Sequence, residues 1–202
     1  MATIGLDKLY YASISEDPTS GEETYAVPKP LAKAISAELS VEVAEAILYA
    51  DDGASEIVKE FKSGTLTLGV DDLGAEAAAA LTGARLDANG VLISTSEDGG
   101  TPVAIGFRAA RSNGKYQYFW FYRVKFALPG TTLATKADSI TFSTPSIEGT
   151  ILRRNKPDAT GKHPWKAEVT EGATGVKAET ISSWYTQVYE PAATTSPKPT
   201  NN

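Results

Sequence analysis

The sequence predicts a mainly β fold: a β-sandwich or half-barrel with one short flanking α-helix. Three observations carry that expectation. Thr, Val, Ile, Tyr and Gly are common, while helix formers gather in a single segment. Apolar and polar residues alternate with period two along residues 37–49 and 65–70, the signature of half-buried strands. Between the periodic runs lie Gly, Pro, Asn and Asp clusters, the chemistry of turns. The 202 residues, 42% hydrophobic and 22% charged, suit one ordinary domain with a core of its own.

In chain order, residues Thr3 to Ala12 form the first expected strand, and Ser15 to Glu23 a loop. Pro28 and Pro30 keep the next stretch extended. From Ala37 to Tyr49, Leu39, Val41, Val43, Ile47 and Tyr49 share one face, with Glu38, Ser40, Glu42, Ala44 and Ala46 on the other. Glu45 interrupts the apolar face and marks a bulge or a sheet rim. After a loop over Ala50 to Glu56, Lys62 to Val70 returns as the second arm of a long hairpin with an acidic tip. Thr65 and Thr67 then join Glu38, Ser40 and Glu42 on its polar face.

Asp71 to Gly83 is the one strong helix, capped by an Asp and stopped by Gly83. At about ten residues it needs a sheet to pack on. Val91 to Thr95, Pro102 to Arg111, Ser139 to Thr144, Ile147 to Arg153, Trp165 to Val169 and Ile181 to Tyr189 complete the expected strands. The last residues, 190–202, are Pro/Thr-rich and expected to be a flexible tail on a domain spanning 1–189.

Between two of these strands, Asn113-Gly114 suits a two-residue type I′ hairpin, which would fix a register. Centred there, Ala109 faces Tyr118, Phe107 faces Trp120, Ile105 faces Tyr122 and Val103 faces Val124, giving an apolar core face with Phe126. The opposite face pairs Arg108 with Phe119, Gly106 with Phe121 and Ala104 with Arg123. Two phenylalanines beside two arginines call for a cover, either the Ala-rich helix or another chain.

Composition and motifs exclude more than they offer. Net charge is −6 and the pI near 4.9, which disfavours direct phosphate binding yet suits a surface along which DNA slides. With no cysteine, disulfides and thiolate metal sites are out. Met1 to Lys8 lacks the features of a signal peptide, and no apolar run approaches the ~20 residues of a membrane span. His163, the only histidine, sits in a polar loop with no second catalytic partner. Gly161-Lys162 fails as a phosphate-binding loop, because Lys156 and His163 occupy the positions of Gly and Ser/Thr. Asp51-Asp52 belongs to a turn and Asp71-Asp72 to a helix start. The pair Glu38 and Glu42 suits a solvated face better than a glycosidase dyad. The basic group around Arg153, Arg154, Lys156, Lys162 and Lys166 is loop charge. Neither an enzyme nor a cofactor is expected. An alternative is a monomeric carbohydrate-binding or adhesion module using Trp165, Trp184 and Tyr185 as a platform.

Gly5-Leu-Asp-Lys-Leu-Tyr-Tyr-Ala12, Ala37-Glu-Leu-Ser-Val-Glu-Val-Ala44 and Gly64-Thr-Leu-Thr-Leu-Gly-Val-Asp-Asp-Leu73 resemble the major tail (tail tube) proteins of long-tailed phages of Gram-positive hosts. So do Ile105-Gly-Phe-Arg108 and Phe121-Tyr-Arg-Val-Lys-Phe126, and the likeness covers about residues 1–190. The resemblance implies a structural virion protein, assembled in the host cytoplasm into hexameric rings that stack as a tube conducting DNA. It also implies tape-measure and other tail proteins as partners, and no membrane. Some members carry an Ig-like domain after the tube domain; none is expected in 190–202. On this footing Glu38, Ser40, Glu42, Thr65 and Thr67 are expected to face the lumen. Asp51, Asp52, Gly53, Ala54, Ser55 and Glu56 would form the loop touching neighbouring subunits or rings. Arg108, Phe119, Phe121 and Arg123 would form a second-face interface.

Overall fold

The computed structural model describes residues 2–19, 21–50, 53–130 and 144–191. Within them one large antiparallel sheet runs in the order β2-β1-β8-β9-β10-β5-β4, with β3 added beside β1 and β11 beside β9. Its main strands are β1 (Thr3–Glu16), β4 (Ala34–Ala50), β5 (Gly53–Val70), β8 (Pro102–Arg111), β9 (Tyr116–Phe126) and β10 (Ser146–Leu152). The shorter ones are β2 (Glu23–Tyr25), β3 (Lys29–Ala32) and β11 (Lys166–Thr170). A small separate ribbon pairs β6 (Arg85–Leu86) with β7 (Leu92–Ile93). The mainly β expectation holds.

The sheet curls about a first core. Leu66, Leu68 and Val70 from β5 meet Ile105 and Phe107 from β8, Phe121 and Val124 from β9, and Ile147 and Ile151 from β10. Helix α1 (Ala75–Thr82) adds Ala77 and Leu81, whose small cross-section lets it sit close to β8 and β9. Gly83 ends it in the left-handed conformation at φ 78°, its N–H donating to Ala79 O. The start differs from expectation. Gly74 holds the N-cap position, and Asp71 instead accepts from the Lys33 N–H at 2.9 Å, tying the helix approach to β4.

The β8–β9 hairpin corrects the expected register by one residue. Gly106 pairs with Trp120, Phe107 with Phe119, Arg108 with Tyr118 and Ile105 with Phe121. A type I′ turn needs positive φ at both central residues, but here only Gly114 has it, at 76°. The loop therefore takes three residues, with Gly114 N–H donating to Arg111 O and Arg111 N–H to Lys115 O. As a result Trp120, not Phe121, lies across Gly106; a Cβ there would sit 2.7 Å from the indole. Arg108 stacks on Tyr116, at 3.8 Å from the ring centre, rather than on Phe119. A bulge between Val103 and Ile105 then brings Val103 back opposite Val124.

Strand β9 is buried on both sides. Phe121, Val124 and Phe126 enter the first core, whereas Tyr118, Trp120 and Tyr122 form a second with Ala12, Ala104, Trp184 and Val188. Phe121, on the face expected to need a cover, packs with Ala77 and Leu81 of α1, whereas the Tyr118, Trp120 and Tyr122 face is covered by the chain's own C-terminal segment. Residues 181–189, expected as a strand, instead run as helix α2 (Ala178–Ser182) followed by turns. Trp120 Nε1–H donates to Trp184 O at 3.0 Å, and the Tyr122 hydroxyl to Tyr189 O at 2.9 Å. Burial among these rings pushes the Tyr25, Tyr122 and Tyr185 hydroxyls well above their ordinary pKa. The expected strand 139–144 lies outside the described residues except for Thr144, and so does the tail beyond 191.

Candidate assembly surfaces

The β4–β5 hairpin is longer than expected. Pairing continues to Ala50 opposite Gly53, so Gly53, Ala54, Ser55 and Glu56 belong to a strand rather than a loop. Asp51 and Asp52 lie outside the described residues. Strand β10 supports β5 only along Gly64–Gly69, so the remainder of the hairpin stands as a two-stranded ribbon. A bulge between Glu42 and Val43 leaves Lys62 as the extra residue. Glu45, the interruption in the apolar face, sits opposite Lys59 and pairs with it at 3.1 Å.

The five expected lumen residues do share one face. Glu38 lies opposite Thr67, Ser40 opposite Thr65, and Glu42 opposite Ser63, whose hydroxyl donates to it at 3.2 Å. Glu38, Ser40 and Glu42 are exposed, Thr65 and Thr67 half-buried. Register extends this face sideways: Glu148 sits beside Thr67, Thr150 beside Thr65, and Lys125 beside Thr150. Sequence reasoning missed Glu148 and Thr150, although both alternate with buried Ile147, Gly149 and Ile151. Lys125 and Lys62, which pairs with Glu42 at 3.4 Å, place cations on or beside a strip whose carboxylates are Glu38, Glu42 and Glu148.

The opposite face of the ribbon is apolar and open. Leu39, Val41, Val43, Ile47 and Ile57 each keep 40–54% of their surface exposed. At its root Phe61 stacks on Trp165. Below the root the curled sheet has an open mouth, a cavity of about 520 Å³ walled by Leu6, Leu39, Leu66, Phe107, Phe119 and Phe121. Two free strand edges flank it. Among the described residues, strand β4 has no partner beyond β5, and β1 is paired on its outer side only from Leu9 onward, by β3 and then β2.

The expected second-face interface does not form one surface. Phe121 is 1% exposed in the first core, and Phe119 borders the mouth. Arg108 makes a bidentate pair with Asp7, at 2.7 and 2.8 Å, and Arg123 bonds Glu16 and Glu23. Glu23 is wholly buried, so it needs these donors, and the Asn155 N–H supplies another at 2.8 Å. The register shift moves Arg108 opposite Tyr118, and the extra residue of β9 between Phe121 and Val124 turns Arg123 away from the Phe119 and Phe121 face.

Other singled-out residues serve the fold. Buried Arg154 donates to Glu190 at 2.8 Å and lies over the Tyr122 ring, fastening the C-terminal segment. His163 Nδ1 lies 3.1 Å from Arg154 O. Trp184 is buried in the second core and Trp165 packs against the first, so with Tyr185 they make no common platform. Among the described residues no group of His, Asp and Glu is placed to hold a metal ion, and no helix is long and apolar enough to cross a membrane. Compared with known proteins, the chain matches no family model and no curated protein.

Proposed function

We propose that this chain is a structural virion protein that assembles into stacked hexameric rings forming a phage tail tube, with DNA passing through the lumen. One observation carries the reading most directly. Among the described residues the curled sheet leaves the outer edges of β4 and of residues 3–8 in β1 unpaired, and the long ribbon with its exposed apolar stripe projects from the β4 side. Free edges and a bare two-stranded ribbon are liabilities in a monomer and assets in a polymer, where neighbours pair the edges and cover the stripe. The strip of Glu38, Ser40, Glu42, Thr65 and Thr67, with Glu148 and Thr150, is polar, with three carboxylates among its seven side chains. Facing a lumen, it would repel phosphate and let DNA slide.

Negative-stain electron microscopy of the purified protein tests this. Rings or tubes with a central channel are the expected result. A monodisperse monomer at all concentrations, above all one that shifts on a glycan array, would overturn it.

A further inference from the structure

We infer that the open mouth of the half-barrel receives the apolar ribbon of a second copy's β4–β5 hairpin, with Ile47 and Ile57 as the anchoring pair. This rests on the self-assembly reading and adds the acceptor to it. The donor is an exposed cross-strand pair: Ile47 lies directly opposite Ile57, and they keep 40% and 54% of their surface in water. The acceptor is an apolar cavity of about 520 Å³ with three phenylalanines, Phe107, Phe119 and Phe121, in its wall.

Three features select a polypeptide ribbon from another copy as the occupant. First, the mouth lies beside the outer edges of β4 and of residues 3–8 in β1, which have no partner strand among the described residues, so a strand laid on either edge finds backbone partners as well as an apolar wall. A small apolar ligand would leave those edges bare. Second, Leu39 lines the mouth and Ile47 lies further along the same strand, about 26 Å away at ~3.3 Å per residue. A ribbon cannot fold back over that span into its own root. Third, the charges match. The hairpin from Glu38 to Lys62 holds seven carboxylates and two lysines. At the rim, Arg111 lies opposite the lining residue Thr3, and its Nε is buried with no hydrogen-bond partner among the described residues. Tip-into-mouth docking joins unlike surfaces, which lets it propagate from copy to copy into rings or filaments.

The absence of native cysteine makes the test direct. Ile57→Cys protein is mixed with Ala37→Cys protein, Ala37 being an exposed lining residue, under an added thiol oxidant. The control mixes Ile57→Cys with Ala159→Cys, in a distant exposed loop. Docking raises the local thiol concentration, so the first mixture should give at least about tenfold more crosslinked dimer than the control. Ala37→Trp, which fills the mouth from the surface, should abolish assembly by sedimentation. Particles that assemble with no excess of the first crosslink, or that tolerate Ala37→Trp, overturn the acceptor and leave self-assembly standing. Unsubstituted protein that stays monomeric at every concentration overturns both.

Discussion

Phe61 and Trp165 lie face to face, ring centroids 4.4 Å apart and planes within 2° of parallel. Phe61 stands where the ribbon leaves the sheet, and Trp165 immediately precedes β11, so the stack ties the base of the ribbon to the start of β11. Phe61→Ala should cost about 1–2 kcal/mol in urea denaturation, since an aromatic pair adds roughly 1 kcal/mol beyond its area. Tube yield should fall further than that stability loss explains, and Phe61→Tyr should restore both.

The ribbon tip should matter to assembly and not to folding. Residues 52–55 include none of Leu66, Leu68 and Val70, which carry the β5 share of the core. Deleting them should leave Tm nearly unchanged while tubes become rare or short in negative stain. Tubes of normal length would count against a contact at the tip.

Gly106 is required by close approach rather than by backbone conformation. Its missing Cβ leaves room for the Trp120 indole, which would otherwise be met at 2.7–2.8 Å. Gly106→Ala should therefore destabilise by about 2 kcal/mol, the usual range for overpacking a tight core. Urea unfolding followed by tryptophan fluorescence reads both the loss and the altered indole environment.

The C-terminal segment is integral to the fold. Trp184 is 2% exposed, and its carbonyl satisfies the indole N–H of Trp120. Trp184→Ala should cost about 3 kcal/mol, as for other large-to-small core changes. It should also speed cleavage after residue 182 in limited proteolysis. A variant as stable as the parent would show that the segment does not hold the second face closed.

Acid should weaken the knot around Arg123. The hydrogen bond from Arg123, then its charge, hold the Glu16 carboxyl below its ordinary value of 4.5. The unfolded chain thus binds more protons in that range, so stability rises with pH. Glu16's contribution is present above about pH 4.5 and is lost as pH falls through the depressed folded value. Glu16→Gln should lower Tm at neutral pH and flatten its dependence between roughly pH 3 and 5. An unchanged slope would mean that the pair contributes nothing in solution.

The single sequence carried much of this architecture. Strict alternation in 38–42 and 65–70 determined the long hairpin and placed Glu38, Ser40, Glu42, Thr65 and Thr67 on one face, because only one face of that ribbon is apolar. Gly83 determined where α1 stops, through a backbone conformation that glycine adopts without strain. Register at Asn113-Gly114 was a different matter. Both faces of β8 and β9 are largely apolar, so slipping by one residue exposes no obvious penalty in the pattern. Only the three-dimensional fit of Trp120 over Gly106, with Trp184 and Tyr189 waiting to accept from Trp120 and Tyr122, decides it. The same holds for the Tyr118, Trp120 and Tyr122 face of β9, whose cover comes from residues more than sixty positions away. Local turn chemistry differs by little between two and three loop residues, whereas burying two aromatic faces is a long-range effect that no short window of sequence contains.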